Sequence, residues 1–68
     1  MAIVMFEEQG VVRLQMPELP GPDEAKEVSI TEDSKGIYAE LGGLRARVIL
    51  EQAERLITAG ARDHRTRQ

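Results

Sequence analysis

Between Leu44 and Gly60, in the stretch LRARVILEQAERLITAG, apolar residues keep one helical period for about four turns. At about 100° per residue, Ala46, Ile49, Leu50, Ala53, Leu56, Ile57 and Gly60 fall in one band, with Arg47, Glu51, Glu54, Arg55 and Thr58 opposite. The pattern predicts a helix over 44–59 with a core-facing stripe, ended by Gly60, which enters a left-handed conformation without a Cβ penalty. Ala46, Ala53 and Gly60 line the middle of that stripe and are all small, so a sheet, or a second helix across a dimer, can approach closely. Glu51 and Arg55 are spaced for an i, i+4 ion pair.

Upstream the period changes to two. Val12, Leu14 and Met16 alternate with Val11, Arg13 and Gln15, and Ala2 to Glu7 can form the other arm of a hairpin. With Glu8, Gln9 and Gly10 as the connection, Val4 and Phe6 join the face of Val12, Leu14 and Met16, and Ile3 and Met5 take the other. Pro17 to Pro22 holds all three prolines and reads as an ordered linker. A single helical turn after Pro22 is all that DEAKEV can support. Glu27 to Leu41 reads in two ways. As a hairpin, Val28 and Ile30 and then Ile37, Ala39 and Leu41 alternate with polar neighbours about an Asp33-Ser34-Lys35-Gly36 turn. As a helix capped by Thr31, it aligns Ile37, Leu41, Leu44 and Val48 but must contain Gly36, Gly42 and Gly43, each costing about 1 kcal/mol. The hairpin is the better reading, with Gly42-Gly43 as the joint to the helix. The expected fold is α+β: a small antiparallel sheet of two hairpins packed against one C-terminal helix, a single domain over 1–60 followed by a flexible basic tail over 61–68.

Composition narrows the function classes. A chain of 68 residues with no cysteine, one histidine and two aromatic residues has few ways to stabilise a small core, and self-association as a homodimer is the expected one. The apolar run at the start stops at Phe6 and has no basic flank, so neither an export signal nor membrane association is expected, and the default location is cytoplasmic. The net charge of −3 is split: residues 1–40 hold nine acids and three bases, residues 41–68 three acids and six arginines. Such a split fits a basic binding surface or two halves that attract each other.

No enzymatic constellation emerges. The lone histidine, His64, lies in the expected tail, and the carboxylate pairs Glu7-Glu8, Asp23-Glu24 and Glu32-Asp33 read as solvated turns. No phosphate loop or metal spacing occurs, so no catalytic residue, cofactor or metal is expected. The sequence points instead to a small regulatory or inhibitory protein that binds another protein. Its expected partner or dimer face is Leu44, Arg47, Val48 and Arg55, with aliphatics on the helix face away from the main stripe. The alternative is a nucleic-acid-associated regulator contacting phosphates through Arg62, Arg65 and Arg67.

Overall fold

A computed structural model describes residues 2–65. The first hairpin is β1 (Val4–Glu8) and β2 (Val11–Gln15). Its turn is only two residues, Gln9 and Gly10, both with positive φ (51° and 80°), which is the type I′ geometry whose twist matches the strands it joins. Shortening the connection by one residue changes the register. Met5 now pairs with Leu14 and Glu7 with Val12, whereas Val4 faces Gln15 and Phe6 faces Arg13. Since side chains alternate along a strand, a slip of one residue exchanges the faces. Ile3 is therefore buried, with Met5, Leu14 and Met16 against the core, while Val4 is 45% exposed. This reverses the expected assignment of Val4 and Phe6 to the buried side.

The linker leads into α1, the single turn Pro22–Ala25, which buries Ala25. The stretch after it is a hairpin and not a helix: β3 (Ser29–Asp33) pairs antiparallel with β4 (Gly36–Leu41). Asp33 fixes the turn, its Oδ1 accepting the N–H groups of Lys35 at 2.7 Å and Gly36 at 3.2 Å. Gly42-Gly43 is another type I′ turn, with φ of 60° and 85°, so the chain folds back as a further strand, β5 (Leu44–Val48). The expected helix over 44–59 therefore loses its first residues to the sheet. Helix α2 spans Leu50–Ala59, with the Ile49 N–H donating to Gln52 Oε1 at 3.1 Å. Ile49 and Leu50, expected in the core-facing band, are 61% and 56% exposed.

At its far end α2 closes in a Schellman motif: the N–H of Gly60 donates to the Ile57 carbonyl and that of Ala61 to the Leu56 carbonyl. Leu56 and Ala61 both join the core, the apolar contact that accompanies this cap. The chain then forms β6 (Arg62–Asp63), parallel to β3, with Arg62 and His64 N–H groups donating to the Val28 and Ile30 carbonyls. Residues 61–65 are thus not the free tail expected after Gly60, because the cap turns the backbone onto the open edge of β3. Residues 66–68 of that tail lie outside the described residues.

The four-stranded sheet has the order β5-β4-β3-β6. Since β4 is antiparallel to both β5 and β3, and β6 is parallel to β3, α2 is a crossover between parallel strands at the two edges. The α+β architecture, hairpin strands covered by a C-terminal helix, is the fold anticipated from the pattern. On the inner face Ala39 and Ala46 form a cross-strand pair with almost no exposed surface, and α2 contributes Ala53 and Leu56 to the same core. Val28, Ile30 and Leu56 are the largest fully buried side chains. At about 1.5–3 kcal/mol each they dominate a thin core. The β1–β2 hairpin lies against β5, chiefly through β2. No helix among the described residues is long and apolar enough to cross a membrane.

Candidate binding face

Period-two alternation sorts the four-stranded sheet into two faces. Ile30, Ala39, Ala46 and Val48 point to α2, and the opposite set is Ser29, Thr31, Asp33, Tyr38, Glu40, Arg45, Arg47 and, through its pairing with Ser29, Arg62. This outer face combines one aromatic ring, three arginines and two carboxylates. Arg45 is its organising side chain. Its guanidinium carbon lies 4.0 Å from the Tyr38 ring centroid, while Nη2 reaches Asp33 Oδ2 at 3.3 Å and Nε reaches Glu40 Oε2 at 3.5 Å. The ion pairs are half-exposed, so each contributes little stability, but together they hold the ring and three side chains in one arrangement. Both backbone N–H bonds, the Lys35 one foremost, and the Arg45 charge lower the Asp33 pKa from its usual 3.8.

Arg47 is strapped at the turn. Its Nη2 donates to the Lys35 carbonyl at 2.6 Å, and the guanidinium passes over Gly36, where a Cβ would come within 2.9 Å of Nε. Arg62 is exposed and makes no ion pair among the described residues. As Asp33 and Glu40 both bond to Arg45, Arg47 and Arg62 are left without an ion-pair partner among the described residues, and with three arginines against two carboxylates the face carries a net charge of +1. One further feature lies here: Thr31 Oγ1, on the strand position facing Tyr38, is buried without a hydrogen-bond partner.

The residues expected to form one partner face are dispersed. Val48 is buried in the core, Leu44 is half-buried opposite Leu41, and both point away from Arg47. Arg55 is on α2, bonded to Glu51 at 2.8 Å as its i, i+4 spacing implied. Leu19 is 87% exposed beside a shallow groove of 330 Å³ lined by Pro20, Arg55, Thr58 and Ala59. The expected phosphate contacts are likewise separated. Arg62 is on the outer sheet face, but Arg65 is only 13% exposed and is bound to Asp63 through Nε at 2.9 Å and Nη2 at 3.0 Å. That bond raises the Arg65 pKa. Arg67 lies outside the described residues. What sequence reasoning missed is the grouping of Tyr38 with Arg45, Arg47 and Arg62. The alternation of Leu44, Ala46 and Val48 with Arg45 and Arg47, directly after Gly-Gly, carried the signal. Comparison with known proteins yields no match: no family model, no curated protein and no solved structure matches this chain.

Proposed function

We propose that this chain is a non-catalytic regulatory or inhibitory protein that docks an acidic segment of another protein on the outer face of its four-stranded sheet. The observation that supports this is the pair of arginines outside any ion pair among the described residues, Arg47 and Arg62, flanking an ordered Tyr38–Arg45 stack on a face of net charge +1, in a chain whose net charge is −3. A positive face on an acidic protein attracts an acidic segment locally and repels acidic surfaces elsewhere, so charge supplies orientation and the ring supplies contact area. The nucleic-acid reading is favoured only by Arg62 lying on the same face as Arg45 and Arg47. Two free arginines neutralise few phosphates, and one ring gives a single stacking position.

The test is fluorescence anisotropy with two labelled probes of equal charge, an acidic peptide containing apolar residues and an oligothymidine. Wild-type protein is expected to prefer the peptide, and Arg47→Glu/Arg62→Glu to weaken that binding about tenfold or more. Peptide binding unchanged by the double substitution would overturn the proposal. Preference for the oligonucleotide, lost in the same variant, would give the arginines to nucleic acid instead.

A further inference from the structure

Strand β1 pairs with β2 on one side, and among the described residues no strand pairs with its other edge. The hairpin geometry says which groups that edge presents. The pair closing a two-residue turn, Glu8 with Val11, is a hydrogen-bonded one, and such pairs alternate with non-bonded ones. The backbone groups of Val4, Phe6 and Glu8 therefore point to β2, and those of Ile3, Met5 and Glu7 point outward. Devices that usually blunt an edge, a proline, a lysine or a bulge, are absent from Ile3 to Phe6. The hairpin face above this edge carries Val4 at 45% exposure and a half-buried Phe6.

We infer that a second copy of this chain pairs with β1, antiparallel, about a two-fold axis at Met5. The placement of charge selects both the occupant and the register. With the axis at Met5, each outward-facing residue meets another: Met5 lies opposite the partner's Met5, and Ile3 opposite the partner's Glu7. Val4 then lies beside the partner's Phe6, twice by symmetry, and Glu8 falls opposite the partner's Ala2. Each acidic strand end is thus laid along the uncharged, apolar start of the other copy. An axis at Phe6 also satisfies the backbone, but it pairs fewer residues and places Glu7 diagonally beside the partner's Glu7, a like-charge contact that destabilises a strand pair. The edge is self-complementary in one register, the condition for a closed two-fold interface. The inference specifies the seam of the expected homodimer, and binding on the outer sheet face does not depend on it.

Light scattering over a concentration series tests the seam. Wild-type protein is expected to approach twice 7.6 kDa as concentration rises. Val4→Lys, which replaces both Val4–Phe6 contacts with a charge, should raise the dimer dissociation constant about tenfold or more, whereas Val11→Lys, exposed on β2 and away from the open edge, should leave it unchanged. Hydrogen exchange on the wild type needs no variant: the Met5 and Glu7 amides should gain protection with concentration, while Phe6 and Glu8 are protected throughout. A monomer at every concentration, equal dimerisation of the two lysine variants, or a dimer in which the Met5 and Glu7 amides exchange freely would each overturn the inference. Peptide binding by a monomeric protein would leave the proposed function standing.

Discussion

The substitution Gln9→Asn tests the turn that sets the register of the first hairpin. Gln9 has a φ of 51° and its side chain is exposed, so its contribution is conformational. A non-glycine residue in the left-handed region costs roughly 1–2 kcal/mol, and asparagine relieves part of that by bonding to its local backbone. The expected gain is about 0.5–1 kcal/mol, which for a domain of this size raises Tm by about 2–8 °C. In a three-residue connection Gln9 would sit in the right-handed region and the same change would bring nothing. Gly10→Ala supplies the opposite sign. A Cβ there meets nothing within 4 Å, yet φ is 80°, so the loss is conformational and about 1–2 kcal/mol. Urea and thermal unfolding by far-ultraviolet circular dichroism, at one fixed protein concentration, give both values. A neutral or destabilising Gln9→Asn would refute the two-residue turn, and with it the burial of Ile3 and the exposure of Val4.

Two further outcomes rest on single side chains. Thr31→Val removes a buried hydroxyl that has no partner while keeping shape and β-branching, so stability should rise by about 1 kcal/mol in urea titration, and a fall would mean that the hydroxyl is satisfied. Asp33 has a folded-state pKa below 3.8, lowered first by the Lys35 N–H, so its stabilising contribution is present above the unfolded value and lost as pH falls through the folded one. The stability difference between wild type and Asp33→Asn should therefore be level at neutral pH and shrink below pH 3.8, and a difference indifferent to acid would remove the proposed role of Asp33 in the turn.

How far the chain can be read without coordinates depends on whether a pattern has one period or two. Ala53, Leu56 and Gly60 obey only the helical period, and the helix end was legible to the residue. Glu27 to Leu41 admits a helix as well, and the turn chemistry of Asp33 to Gly36, with three glycines that a helix would have to contain, is what made the second hairpin the better reading. LRARV is different. Leu44, Ala46 and Val48 alternate as a strand, yet Ala46 also falls on the helical stripe of Ile49, Leu50 and Ala53, so periodicity alone cannot place the boundary. The paired glycines before it decide the matter, since two consecutive positive-φ residues demand a hairpin. The candidate face was hidden behind that same ambiguity. On a helix Arg45 and Arg47 are separated by about 200°, whereas on β5 they share a face with Tyr38. Arg62 joins them only through a strand of two residues, which carries no periodic signal at all.

The thin core and the exposed outer face have one cause. A cross-strand pair of alanines on the inner face, with Ala53 on α2, lets the helix lie close to the sheet, and among the described residues the only other helix is the single turn α1, too short to cover the other side. An uncovered sheet face must be polar or be covered by a partner. Here it is polar at Asp33, Glu40 and Arg45, which bond to one another, and with Arg47 and Arg62 outside any ion pair among the described residues its three arginines exceed its two carboxylates by one charge. The β1–β2 hairpin, a separate two-stranded sheet, packs against β5, the edge strand opposite β6, so the open β1 edge and Arg62 lie toward opposite sides of the four-stranded sheet. The proposed pairing through β1 would therefore leave the arginines accessible and give a dimer two such faces. Against a partner with two acidic segments, avidity would add to a modest single-site affinity without any new contact, an advantage that the proposed self-association would give a domain too small for a large interface.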